Sequence, residues 1–408
     1  MNTRRLILPT LLVMAPSACS NAATGWTGAL SDSAGVTIVS NPEIGLWAPG
    51  QEWTLAEEIR IGALDEPSEY VFGSIGGIAV DSRGRIFVLD DHAQHIRVYS
   101  SDGVFLHTVG SRGEGPGELQ TAWPPLVGPG DTLFVPDGNL LRINLYAPDG
   151  SSVGSFRWDL EGGRTMAFKS SASGVIAEQI RPMWNPLDAP TEAEGLTDLI
   201  VLRALDGTLS DTLMVLPSGE MMGPGGVQVF ASEPVWDLAD GLQVAVGFND
   251  DYRISVYRDH RLERIILKPI DRNPVDDLER EAIMGEMERR WAEASISEEM
   301  VVRLRSRWSF ADFYPAYQDL AFGPMGTIWV QRVKWASELS GDELRDWQNA
   351  RSPEWEVLDS EGRFLGVVRM PPRFTPMLFR GEKVFGVVRD SLDVQHVARL
   401  GVQSPLED

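Results

Sequence analysis

The sequence predicts an all-β fold, a six-bladed β-propeller of four-stranded antiparallel blades, closed by an N-terminal strand and carrying a helical hairpin between blades 4 and 5. Three observations predict it. Residues 76–117 read as two tandem β-hairpins, and weaker copies of that pattern recur to the C-terminus. The last copy is one strand short. An isolated strand ahead of the first copy, residues 53–61, supplies the missing one. Closing the ring in this way leaves no open sheet edge to seed aggregation.

In the opening copy, residues 76–81 and 85–89 are apolar runs joined by Asp81-Ser82-Arg83-Gly84, and 96–100 and 104–109 are joined by Ser101-Asp102-Gly103. Glycine at the end of each turn supplies the positive φ that a short hairpin loop needs, and Asp or Ser bonds back to the local backbone. One four-stranded sheet cannot bury its own apolar face, so neighbours are required. The second copy spans 126–158, and the third runs from 165 to 216 around an insertion at 181–197. The fourth covers 235–267, where its second turn, Arg258-Asp259-His260-Arg261, lacks glycine. The fifth runs from 319 to 369 around an insertion at 333–353, and the sixth has three strands between 377 and 400.

Residues 273–308 break the β pattern. Asn273 and Pro274 suit a helix start, and Ile283, Met287 and Trp291 recur at four-residue spacing as an apolar stripe. Ser295-Ile296-Ser297-Glu298 reads as a capping box for a second helix with Met300, Val301 and Leu304 facing inward.

A net charge of −23 repels phosphate backbones, so nucleic acid is excluded as a partner. Cys19 is the only cysteine, which excludes a disulfide framework and a cysteine metal site. It ends a stretch with a basic start, Arg4 and Arg5, an apolar run over 6–15 and small residues at 17–18. That is the outline of an export signal over residues 1–19, and its end resembles a bacterial lipobox with Cys19 as the lipidated residue. The alternative is cleavage near Ala22-Ala23 and release of a soluble protein. Residues 20–35 read as a flexible tether, and the propeller occupies 36–408. The expected location is therefore the cell envelope, held to the membrane by lipid alone.

Ala79-Val80-Asp81, the strand 86–90, Arg97-Val98-Tyr99 and the ending Gly113-Glu114-Gly115-Pro116-Gly117-Glu118-Leu119 together resemble the NHL-type repeat. With its signal, the chain is similar to six-bladed propeller lipoproteins of environmental and gut bacteria. That resemblance implies a fold and an exported location, and no settled activity.

The chemistry-bearing residues point in two directions. Both Gly turns of each blade fall at one rim, so the long irregular segments gather at the other, where loops on a rigid scaffold carry function. Those segments are aromatic and basic in an acidic protein. Arg181, Trp184, Arg332, Lys334 and Trp335 are the candidate ligand-binding residues, suited to a small molecule, a glycan or an envelope protein. No cofactor is called for on this reading. The enzymatic alternative is a calcium-assisted, lactonase-like hydrolase or lyase at the axial mouth of the same rim, with Glu118, Asn249, Asp250 and Asp319 as oxygen ligands. A third reading is a structural envelope protein. The recurring pairs Asp90/Arg97, Asp137/Arg142 and Asp250/Arg253 read as braces repeated by blade and not as catalytic groups.

Overall fold

Short apolar runs separated by Asp- and Gly-bearing turns fold as hairpins, and the hairpins assemble in pairs into blades. The computed structural model describes residues 25–158, 163–182, 197–219, 222–223 and 226–404. Six antiparallel blades follow one another around an axis, as predicted. Blade 1 consists of Ile75–Val80, Ile86–Asp90, His95–Tyr99 and Phe105–Val109. The innermost strands of blades 2 to 6 are Leu126–Val127, Arg164–Ser170, Pro234–Ala239, Asp319–Phe322 and Phe374–Arg380.

The closing strand is Thr54–Ile61, paired antiparallel with Gln395–Gln403 as the outermost strand of blade 6. Ile61 is 1% exposed and packs with Val387 and Val397 of blade 6 and with Ile78 and Ile86 of blade 1. Each interface between blades is an apolar layer of this kind. Phe87 and Val98 of blade 1 meet Leu133 and Tyr146 of blade 2, and Trp329 and Trp355 of blade 5 meet Val384 and Leu400 of blade 6. Every such side chain removed from water contributes about 1.5–3 kcal/mol, so the ring is held mainly by these layers.

The turns form where the sequence places them. In the turn of blade 4 that lacks glycine, Asp259 and His260 both adopt positive φ, 45° and 64°, while Arg258 pairs with Arg261. Two left-handed residues between paired strand ends form a primed hairpin turn, and Asp and His tolerate that conformation better than most side chains.

Two elements differ from expectation. Ala29–Ser33, expected within a flexible tether, is a strand that pairs with Val36–Ser40. Val36–Ser40 in turn lies parallel to Arg261–Leu267, so this hairpin extends blade 4 to six strands. Asn41 fastens its end by donating to the Gly362 carbonyl at 2.9 Å and accepting from the Phe364 amide at 2.7 Å, both in blade 5. The helical insertion is present as α1, Asp277–Glu293, and α2, Glu298–Arg305. Its caps are Asp276, in a capping box with Glu279, and Ser297, in place of the expected Asn273 and Ser295. Ile283 and Trp291 are buried as predicted, whereas Met300, expected on the inner face of α2, is 40% exposed.

The insertion does not stand alone. Gly226–Val229, from the crossing between blades 3 and 4, pairs with Trp308–Phe310 after α2. Val229, Ile283, Ala336 and Trp347 then form one small core. Three separate excursions from the propeller thus build a single cap on one rim.

Candidate functional site

Three cations expected to bind a ligand at the cap rim, Arg181, Arg332 and Lys334, each have a carboxylate partner within the protein. Arg181 donates to Asp198 at 2.8 Å and to Glu233 at 3.0 Å. Arg332 donates to Glu338 and Glu354, each at 2.9 Å, and its guanidinium lies 5.1 Å from the Trp335 ring centroid. Lys334 pairs with Glu343. Arg332 and Trp335 do line a recess of about 300 Å³ beside Arg272 and Tyr314. Their ion pairs also brace the chain locally, Arg181 between blades 3 and 4 and Arg332 and Lys334 within the cap. The sequence shows basic residues on long loops, but not that an acidic partner waits for each. Trp184 and Cys19 lie outside the described residues.

The four oxygen ligands considered for calcium do not converge. The Glu118 carboxylate accepts from the Gly115 amide at 2.7 Å within its own connector. Asn249 is buried in blade 4, accepting from the Glu233 amide and donating to the Tyr317 carbonyl. Asp250 beside it is exposed, and Asp319 belongs to the innermost strand of blade 5. Among the described residues, no three His, Cys, Asp or Glu side chains gather to hold a metal. The braces are also fewer than expected. Arg97 reaches Asp90 at 3.4 Å, but Arg142 turns from Asp137 to the carbonyls of Gly115 and Glu118, and no ion pair joins Arg253 to Asp250 among the described residues.

Charged groups converge instead on the axis. A cavity of about 490 Å³ is walled by residues from the innermost strands of all six blades. Its mouth is ringed by the turns after the innermost strands of blades 3 to 6, which include Ala172, Asp240, Met325 and Glu382. These turns belong to the rim opposite the cap, so the cavity opens on the face where the sequence placed only short turns.

Four of the innermost strands carry a charge into the cavity wall: Lys169, Asp237, Asp319 and Arg380. Lys169 Nζ stands 3.7 Å from Asp237 Oδ1, and Asp237 Oδ2 accepts from the Phe322 amide at 2.8 Å. Burial works to lower the Lys169 pKa, but the nearby carboxylates of Asp237 and Asp319 outweigh it and hold the ammonium above the usual lysine value. Burial also pushes the Asp237 carboxyl above the usual range, with Asp319 adding to the effect and Lys169 opposing it.

Arg380 reaches across the axis from blade 6 to blade 3, where Nη2 makes long contacts with the Ser170 carbonyl at 3.3 Å and its hydroxyl at 3.4 Å. No carboxylate lies within 4.0 Å of it among the described residues, and burial lowers its pKa. Its Nε is buried without a hydrogen-bond partner. So is the indole Nε1 of Trp355, a residue 2% exposed that lines the same cavity and packs at a tilt against Phe379 with centroids 5.2 Å apart. A buried N–H without an acceptor costs about 1–3 kcal/mol, and both of these belong to residues that line one cavity. Of these wall residues, Asp319 alone was expected from the sequence to belong to a site. A charge inside an otherwise apolar innermost strand, as in Val235-Trp236-Asp237-Leu238, was the available signal.

Comparison with known proteins agrees with the fold. Residues 55–121, which contain the closing strand and blade 1, match the family described as a 6-bladed beta-propeller. A member of the duf4221 family from Bacteroides vulgatus aligns with 87% of this chain and 99% of its own, at TM-score 0.54 and 11% identity. A Bacteroides fragilis protein named as an inferred exported protein aligns over 90% of this chain and 99% of its own, at TM-score 0.50 and 13% identity. A gluconolactonase from Xanthomonas campestris aligns over 85% of this chain and 99% of its own, at TM-score 0.41 and 11% identity, too slight a likeness to bear on activity. No curated protein matches the sequence. With six blades in the structure and that match across its opening repeat, the chain is a six-bladed β-propeller.

Proposed function

We propose that this propeller is a binding protein that holds a small carboxylate-bearing molecule in its axial cavity. The observation that carries the reading is the pair of buried, unpartnered donors, Arg380 Nε and Trp355 Nε1, on residues lining one cavity of about 490 Å³. That volume lies within the range of about 300–1,000 Å³ typical of small-molecule sites, and a carboxylate accepts from both kinds of donor. The cap rim, where Arg181, Arg332 and Lys334 are already paired with carboxylates, supports the reading less well. The calcium-assisted hydrolase has no converged ligand set behind it.

A thermal-shift screen of small organic acids, sugar acids, amino acids and short peptides tests the proposal. A ligand at about 100 times its Kd stabilises the native state by about 2.7 kcal/mol, a readily measured rise in Tm. Arg380→Met and Trp355→Phe are expected to abolish or sharply reduce that rise while leaving the unliganded protein folded. The reading fails if no acid shifts Tm, or if the shift survives unchanged in both variants.

The signal-like residues 1–19 fit an exported binding protein, and among the described residues no helix is long and apolar enough to cross a membrane. Intact-mass spectrometry of the protein from its native host checks export and lipidation. The expected product begins at Cys19 and carries acyl chains, whereas an unprocessed Met1 terminus rejects both.

A further inference from the structure

The axial cavity also holds a carboxylate that no neighbouring cation balances directly. Among the described residues Asp319 accepts a hydrogen bond from the amide of the adjacent Leu320 alone, at 2.9 Å. Among the described residues no cation lies within 4.0 Å of it, and Lys169 and Arg351 act on it only from farther away. Lys169 is already committed to Asp237 at 3.7 Å. At the mouth, Asp240 accepts from the Ser173 amide at 2.7 Å and also feels the side chains of Ser171 and Ser173 and the charge of Arg380, and Glu382 accepts from the Met325 amide at 3.1 Å. The charged groups of the wall and mouth are then two cations, Lys169 and Arg380, against four carboxylates, Asp237, Asp240, Asp319 and Glu382, a formal charge of −2.

A purely anionic ligand fits this cavity poorly. It would satisfy Arg380 and Trp355 but add negative charge to a site already in excess of it, and repulsion between like charges is strong where water is scarce. A ligand with a positive group as well removes that conflict.

We infer that the ligand carries an ammonium group together with its carboxylate, as an amino acid or short peptide with free termini does. This rests on the reading of the cavity as a carboxylate site. The carboxylate takes the donors of Arg380 and Trp355, and the ammonium is drawn to Asp319, the first residue of its innermost strand and so at the end of the cavity away from the mouth. Phe168, Met377 and Leu378 in the wall provide apolar surface for a side chain between the two ends. The wall thus selects by charge at both ends and by apolar contact in the middle.

Isothermal titration of the whole protein with the dipeptide Ala-Phe, its N-acetyl form and its C-terminal amide tests the inference. Ala-Phe is expected to bind, and either modification to weaken it by about tenfold or more, the scale set by losing one charge-assisted hydrogen bond. Asp319→Asn is expected to bring the free and acetylated peptides to equal affinity, and Arg380→Met to do the same for the free peptide and its amide. If the acetylated peptide binds the native protein as tightly as the free one, the ammonium requirement is wrong and the carboxylate site stands. The ammonium requirement is equally wrong if Asp319→Asn folds and leaves the ratio unchanged. Binding of an acid from the wider screen without any of the three peptides also overturns this inference alone. Failure of every compound overturns both readings. Should Asp319→Asn fail to fold, the ratio measured on the native protein still decides.

Discussion

Glu178 of blade 3 is 1% exposed and meets Arg203, itself 3% exposed at the side chain, across neighbouring strands. Glu178 accepts from Arg203 Nε at 2.6 Å, from Thr165 Oγ1 at 2.5 Å and from Trp158 Nε1 at 3.3 Å. Removing the arginine leaves a carboxylate among apolar side chains, and an uncompensated buried charge of this kind costs about 3–5 kcal/mol. Arg203→Met is therefore expected to lower the stability measured by urea denaturation by that amount, and adding Glu178→Gln to recover most of it. A loss below about 1 kcal/mol in the single variant contradicts a buried, mutually dependent pair. The pair shows why single residues were the least legible feature. Arg97 and Arg142 occupy like places in the sequence of blades 1 and 2, yet one holds an aspartate and the other a row of carbonyls. A side chain's partner depends on which strands the register sets opposite it, and that is fixed only when the blades close. The same gap explains the cap rim, where Arg332 and Lys334 were visible as cations but their partners Glu354, Glu338 and Glu343 were not.

Strands and turns were far more legible, because each obeys local rules. The alternation of apolar and polar residues and the Asp- and Gly-bearing turns located the strands of every blade, and the closing strand at 54–61 followed from a shortfall in the last one. The strand Ala29–Ser33 escaped detection for a physical reason. All five of its residues are exposed, so it carries no apolar alternation, and it exists only because Val36–Ser40 is already anchored on blade 4. The start of α1 was misplaced by the pull of Asn273-Pro274. Pro274 instead bridges to Phe313, and Asp276 with Glu279 gives the reciprocal cap that starts the helix. Where two capping patterns overlap, packing of the flanking chain decides between them, and sequence spacing alone does not. The cap as a unit was hidden for a related reason: its core joins Val229, Ile283 and Trp347, residues far apart in the chain.

At the scale of the whole molecule, the layers between blades and the core of the cap bury tyrosines, and these tie stability to alkaline pH. Tyr99, Tyr146, Tyr252, Tyr314 and Tyr317 are each 5% exposed or less, five of the seven tyrosines in the chain. Burial raises the pKa of each phenol above its ordinary value, since a tyrosinate would have to exist without water. For Tyr252 the neighbouring Glu356 carboxylate, 2.7 Å away, adds to the effect. A group whose pKa is raised on folding contributes its full stabilisation below the unfolded value, about 10 for a phenol, and loses it as pH climbs toward the folded value. Lys169 in the axial cavity is raised as well and acts with the same sign over the same range. The protein is therefore expected to hold its Tm up to about pH 10 and to lose it steeply above. Circular dichroism and tyrosinate absorbance followed together from about pH 8 to about pH 12 check this. Ionisation of the four rings between blades should appear only as the β signal collapses, because the propeller must open before they meet water. If most of the tyrosinate absorbance develops while the β signal is still native, the layers between blades are not the dry interfaces the structure describes.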